Sequence, residues 1–304
     1  STGLAIEAGA KMQNLALWQY GLASTKPRWN VSGTYMQVLP RIYSVDANGI
    51  QYDFLWEHFK DYGKALSALF QKGYQWPFDV RKIKGSSIID LLVYEQTVIK
   101  NRKVFLDYTQ NPFNQPLNIS LLSAETAEYL KNATADFGTP IERLRLMNEP
   151  AYQLYLDKGI NLETQPLEIA VCAQHNNGGI AVDMWWQSSV KGLFAVGECA
   201  GTHGIARPGG SALNAGQVGS LRAAQYISEH PNKLVDEGIF LKIVNAVEIK
   251  ASSDTAECKE MAQRRMSDNA AAVRNVEKIN SQKQIILERK NYEVEDIKLH
   301  NNLI

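Results

Sequence analysis

The chain has 304 residues, 45% of them apolar, and its 32 basic residues balance 32 acidic ones. That length suffices for two or three compact domains, and the even charge offers no broad field for nucleic acid or an anionic membrane surface. No apolar run approaches the roughly 20 residues that cross a bilayer, and Ser1 to Lys11 lacks the basic and apolar regions of a secretory signal.

In chain order, residues 1–12 predict a short helix with Leu4, Ile6 and Ala8 to Ala10 as apolar positions, followed by a strand in "NLALWQYGLAS". From Lys26 the composition turns aromatic, as in "YQWPFD". "FLWEHFKDYGKALSALFQKG" carries apolar residues near i, i+3 and i+4 and predicts one amphipathic helix closed by Gly73 at C′. "IIDLLVYEQTVI" reads as a helix or a buried strand, "RKVFLDYT" as a strand, and "TAEYLKNATADFG" and "IERLRLMN" as helices. "PLEIAVCAQH" is β-rich. "GGIAVDMWWQSSVKGLFAVGEC" predicts two strands joined by a polar turn at Gln187 to Lys191, the second ending at Glu198. "SALNAGQVGSLRAAQYISEH" predicts a helix with Ser211 as N-cap, and the chain from Pro231 onward reads as helical and charged.

Cys172, Cys199 and Cys258 are too few and too scattered for a disulfide framework or a zinc site. With no secretion signal they point to a reducing, cytoplasmic setting, and no metal is expected. The chain begins without Met, on a segment that reads as the continuation of something longer, so a piece of a larger polypeptide is expected.

The chemistry concentrates in "GLFAVGECAGTHGIARPGGSALNAG". An apolar run ends at Gly197-Glu198, and a glycine-rich loop carrying His203 and Arg207 leads through Gly209-Gly210 into a helix. A helix N-terminus presents unpaired N–H groups and partial positive charge, and glycines before it let a flat, electron-accepting ligand approach. A carboxylate at a strand end suits ribose or ribityl hydroxyls, while Arg207 and His203 add cationic donors. An ordinary loop that turns the chain would have the same spacing. In "CAQHNNGGIAVD", the glycines allow close backbone approach and could aim His175 into a cleft; a histidine serving only the local structure fits as well. Arg41, Lys64, Arg81, Lys82, Lys84, Arg102 and Lys103 read as solvated surface, Cys199 as an inert thiol, and Trp185-Trp186 as half core or half interface.

Taken together, "HNNGGIAVD" and "GLFAVGECAGTHGIARPGGSAL" resemble, in order and spacing, the H-x-x-G-G-I, G-L-[FY]-A-x-G-E and H-G-x-x-R-x-G motifs of the succinate dehydrogenase/fumarate reductase flavoprotein family, which includes L-aspartate oxidases. The match is close over 170–225 and loose over 25–165. The resemblance implies an α+β / α/β fold: a partial Rossmann-like FAD-binding domain (1–24 and 166–230), an inserted α+β capping domain (25–165) and a helical C-terminal region (231–304). It implies FAD as cofactor. Gly197 and Glu198 would lie at its ribityl or ribose region, and Gly209, Gly210, Ser211, Ala212 and Leu213 at the isoalloxazine edge. His175 and Arg207 would bind a small carboxylic-acid substrate, and an electron-transfer partner is possible. The reaction implied is hydride transfer between flavin N5 and that acid; a flavin oxidase of L-aspartate oxidase type and a non-catalytic interaction module are the alternatives. The departures are specific. Gly21 stands at the histidine of the family's Q-F-H-P-T motif, and "HFKDYGKAL" lacks the family's proton-moving arginine, for which Arg81 is the substitute and Lys64 the other candidate. No G-x-G-x-x-G for the ADP half of FAD occurs in these residues, so weak FAD binding and no activity are expected of this chain by itself.

Overall fold

A computed structural model describes residues 2–204, 207, 210–231, 237–246 and 255–288. The chain divides into two compact units, Gln19–Gln174 and the two segments Ser1–Trp18 and His175–Ile304. The strands are β1 (Met12–Gln13), β2 (Trp18–Ser24), β3 (Trp29–Asn30), β4 (Arg41–Val45), β5 (Gln51–Tyr52), β6 (Lys103–Asp107), β7 (Leu167–Asn176) and β8 (Gly179–Ile180).

In the unit Gln19–Gln174 a six-stranded sheet runs in the order β3-β2-β7-β6-β4-β5. β6 is antiparallel to both β4 and β7, with Leu106 opposite Ile42 on one side and Leu167 on the other. β4 is rich in β-branched and aromatic side chains and sits well inside a sheet. The core is large and continuous. Leu22, Met36, Leu39, Phe54, Leu66, Leu69, Phe70, Ile89, Leu106 and Tyr155 are all buried within it. Two buried cations need partners there. Arg143 donates to the Val38, Phe137 and Gly138 carbonyls and to Asn111. Lys72 Nζ meets Asp90 at 2.6 Å with both side chains fully enclosed; burial pushes both groups toward their neutral forms.

Several predicted elements are corrected. The single helix expected over 54–73 is two, Phe54–Phe59 and Tyr62–Tyr74. Asp61 accepts from the Lys64 N–H and caps a new start, and Lys60 before it is left-handed. Gly73 lies inside the second helix. A Cβ there would meet the Gly33 carbonyl oxygen at 2.8 Å, so close packing demands the glycine. "IIDLLVYEQTVI" is helical, Ile88–Tyr94 continuing as one π-turn, Glu95–Ile99. The helix read over 141–148 extends as Pro140–Leu156 with a break at Asn148, two residues before Pro150. Arg41 is buried rather than solvated, over the Tyr43 ring and 3.5 Å from Asp53.

The other unit has a smaller core of Ala5, Ala10, Ile180, Trp186, Ala195, Ala200 and Ala223. β1 pairs antiparallel with β8, Met12 opposite Ile180. The helix Ser211–Glu229 lies on Trp186 through Gly219, where a Cβ would stand 2.6 Å from the indole. Of the two strands expected over 178–199 only the two-residue β8 forms. A strand exists through its ladder, and beyond β8 the segment makes isolated bridges, Ile180 with Ala200, Val182 with Ser188 and Gln187 with Phe194. "LFAVGE" therefore ends in a 3-10 turn, Gly197–Cys199. Trp186 is core, at a positive φ of 64° in a turn rather than on a strand. Of the C-terminal helical reading, Glu237–Ala246, Thr255–Asn269 and Val276–Glu288 are helices and the rest lies outside the described residues. Among the described residues no helix is long and apolar enough to cross a membrane.

Candidate functional site

Three backbone segments meet around the Gly178-Gly179 pair. A Cβ on Gly178 would fall 2.1 Å from the Asn14 carbonyl oxygen, and one on Gly179 would fall 2.2 Å from that of Cys199. The residues 12–14, 178–180 and 199–201 are thus in direct backbone contact. Polar side chains tie the same seam. Gln13 Nε2 donates to the Gly201 carbonyl at 2.7 Å, and Asn176 donates to the Leu15 carbonyl while accepting from the Gly178 N–H. Gln13 and Asn14 escaped the sequence reading, whereas Asn176 lies in the "HNNGG" stretch it singled out. The one sequence signal of the first two is an amide-rich "QN" beside a predicted strand, which is too common to single out.

This seam places His175 and Glu198 on neighbouring segments. Glu198 Oε1 accepts from Arg207 Nη1 at 2.7 Å, and Glu198 Oε2 lies 3.8 Å from His175 Nδ1. The His203 ring stands edge-on to His175, with centroids 5.4 Å apart. Arg207 and His175 are largely enclosed, at 16% and 13% exposure, and Glu198 is 57% exposed. Burial lowers the pKa of His175, Arg207 and His203 lower it further, and Glu198 opposes them. His203 is lowered by burial first and then by Arg207. Burial thus biases both imidazoles toward their neutral forms. His175 Nε2 and both ring nitrogens of His203 are buried and find no hydrogen-bond partner among the described residues.

The helix Ser211–Glu229 starts beside this cluster. Its N-cap is Gly210, at a left-handed φ of 79°, so the cap falls one residue before the expected Ser211. Gly197, at φ 77°, backs onto the helix at Gly216, the would-be Cβ of each 3.7–3.9 Å from the other's Cα. Ser211 and Ala212 are half-buried and Leu213 is 77% exposed. Gly209 lies outside the described residues. Arg81 belongs to the other unit, where Asp79 grips its fork at 2.8 Å and is pulled down to about 2 by that bond; Lys64 pairs with Asp61 at 3.6 Å. Cys199 donates its thiol to the Val196 carbonyl.

The FAD binding domain family matches residues 1–213. A fumarate reductase (CoM/CoB) polypeptide of Methanothermobacter marburgensis is 43% identical over 70 residues, 23% of this chain and 13% of that protein. The L-aspartate oxidase of Pyrococcus horikoshii is 36% identical over 89 residues, 28% of this chain and 19% of the relative. Among solved structures, E. coli quinol fumarate reductase aligns over 99% of this chain and 50% of its own with a TM-score of 0.53 at 18% identity. Mycobacterium smegmatis Sdh1 in complex with UQ1 aligns over 100% of this chain and 47% of its own, with a TM-score of 0.58 at 17% identity. The chain belongs to the FAD binding domain family, and FAD is its cofactor; over shorter stretches it is similar to fumarate reductases and L-aspartate oxidases. It spans about half the length of the solved structures it matches.

The residues present fit a cofactor of that kind: the glycine backbone at 197 and 210 keeps side chains away from the helix start, and the buried His175 Nε2 and His203 ring nitrogens are donors or acceptors able to meet a polar ligand.

Proposed function

We propose that the protein to which this chain belongs is an FAD-dependent oxidoreductase that moves a hydride between flavin N5 and a small carboxylic acid. The observation that supports it most is the convergence of Arg207, His175, His203 and Glu198 beside the start of the helix Ser211–Glu229. The bound flavin supplies the hydride chemistry.

The chain's own residues bind and orient. Arg207 offers a planar fork to one carboxylate of the acid. His175, biased toward its neutral form by burial, donates from one ring nitrogen and is met edge-on by His203. Gly197 and Glu198 face the ribityl region. Gly209 and Gly210 open the approach, and the N–H groups of Ser211, Ala212 and Leu213 stabilise negative charge at the ring edge. Arg81 is the proposed proton-moving residue of the capping domain. Asp79 raises its hold on the proton, so release from Asp79 must precede transfer. We place the FAD-binding part at 1–24 and 166–230, the capping domain at 25–165 and the helical region at 231–304, in a cytoplasmic enzyme served by an electron-transfer partner.

The test is the absorption spectrum of the full-length protein, then bleaching or reoxidation of its flavin by a panel of unsaturated and saturated acids. A colourless protein, or a flavin indifferent to every carboxylic acid tried, overturns the proposal. Peroxide release with an amino acid would instead place the activity with the L-aspartate oxidases, to which 36% identity over 89 residues lends support.

A further inference from the structure

We propose that the Gln19–Gln174 unit carries a binding site of its own, for a small α-hydroxy monocarboxylate with a hydrocarbon stem. The site is a cavity of about 450 Å³ over the helix Tyr62–Tyr74, a volume in the range that holds small molecules. Lys64, Ser67 and Gln71 stand one helical turn apart on one face of that helix and line the cavity in a row. The rest of the lining comes from the end of the 3-10 turn Ile119–Leu121 and the residues up to Ser123, and from Lys84-Gly85. This lining is preformed. A Cβ on Gly63 would run into the Leu121 carbonyl oxygen, so the 3-10 turn is seated directly on the first turn of the helix. Asp61 caps that helix by accepting from the Lys64 N–H at 3.0 Å, and Ser123 caps the next one, Ala124–Asn132, by accepting from the Thr126 N–H.

What the lining leaves unmatched sets the ligand. Ser67 and Gln71 are half-buried, and among the described residues their side chains find no hydrogen-bond partner; withdrawn polar groups ordinarily have one. Lys64 is matched by Asp61 at 3.6 Å, whereas Lys84 is exposed and has no carboxylate beside it among the described residues. Two ammonium groups and one carboxylate leave a single positive charge. That charge suits one carboxylate, and a second negative charge on the ligand would face Asp61. Phe59, Ala68, Leu121 and Leu122 supply apolar surface for a hydrocarbon stem. The Ser67 hydroxyl and the Gln71 amide can bond a hydroxyl beside the carboxylate. The cavity shares no residue with the cluster of His175, Glu198 and Arg207, so it stands or falls apart from the reaction proposed above.

The experiment is protection of lysines from acetylation by acetic anhydride in the full-length protein, read residue by residue by mass spectrometry. The probes are phenyllactate and α-hydroxyisocaproate, with phenyllactamide and succinate for comparison. Each hydroxy acid should slow acetylation of Lys84 about threefold or more relative to the exposed Lys131 and Lys158 outside the cavity. Phenyllactamide should give no protection, and succinate less than either hydroxy acid. By calorimetry, Lys84→Gln and Gln71→Leu, both at the surface and each checked for native circular dichroism, should weaken phenyllactate binding about 3- to 10-fold. Equal acetylation of Lys84 with and without both hydroxy acids overturns the proposal. So does protection by phenyllactamide equal to that by phenyllactate, since charge would then play no part. Phenyllactate binding that survives both cavity substitutions and is lost in Arg207→Gln assigns the acid to the other cluster and also overturns it.

Discussion

The unit Gln19–Gln174 and the unit that carries the glycine-rich loop solve stability by different means. The first buries Leu, Phe and Tyr side chains against a six-stranded sheet and can afford two enclosed cations, Lys72 and Arg143. The second has a core made mostly of alanines around one tryptophan, held by backbone contacts that only glycine permits. A small-residue core leaves backbone amides and short loops close to the His175, Glu198 and Arg207 cluster. There the proposed chemistry and the packing share the same few residues, whereas in the first unit they need not.

The sharpest way to test this contrast is the buried pair. Asp90→Asn strands the Lys72 ammonium in the core and should cost about 3–5 kcal/mol, read from urea unfolding with hydrogen exchange to locate the loss in residues 19–174. Combining it with Lys72→Met should recover most of that loss; no recovery would mean that the pair is not the cause. Next in size, Gly179→Ala drives a methyl into the Cys199 carbonyl. It should cost about 1–3 kcal/mol and lower exchange protection around 178–180 and 199–201 while leaving the six-stranded sheet unchanged.

Acidification should separate the units by sign. His175 and His203 are shifted below their ordinary value. Their contribution to stability is complete above the unfolded-state pKa of about 6.5 and is lost as pH falls through the folded values. Asp90 is shifted upward by burial, so its folded form takes up a proton first and gains as pH falls. Between pH 7.5 and 5.5 the midpoint of the His175 unit should drop relative to that of the Asp90 unit, and parallel movement would refute the assignment. The smallest expected effect concerns the cofactor. If the proposed ring-end placement of Gly197, Glu198 and Gly210 to Leu213 is right, FMN and FAD should bind this chain with affinities within about threefold of each other; a much tighter FAD would overturn that placement.

The legible parts of the molecule were those fixed by neighbours in sequence. The helix Ser211–Glu229 follows from its run of small and apolar residues behind a glycine turn, and β7 from the apolar, β-branched run of "PLEIAVCAQH". Motif order was enough to single out His175, Glu198 and Arg207, three side chains that meet in the structure. Readings failed where a distant segment decides. "LFAVGE" has strand composition, but a strand needs a pairing partner, and among the described residues it finds an isolated bridge. Gly73 looks like a terminator until Gly33 is placed against it. At Gly21, where a histidine was expected, a Cβ would lie 2.3 Å from the Trp76 indole nitrogen. The tryptophan of "YQWPFD" thus fills the space beside that glycine, from a distant part of the chain. The direct bond between Glu198 and Arg207 was likewise invisible, because a loop separates two groups that the motif assigns to different ligands.

The neighbouring strands β2 and β7 have a consequence for how such a protein can change. The Thr25 N–H donates to the Glu168 carbonyl, and the Gln174 amide donates to the Gly21 carbonyl. The two ends of the 19–174 unit therefore lie side by side, as the ends of a hairpin would. A stretch whose ends already touch can be inserted into a host, exchanged for another or excised without stretching either flank. The larger unit is in that sense a cassette, and its boundary is a natural point for recombination.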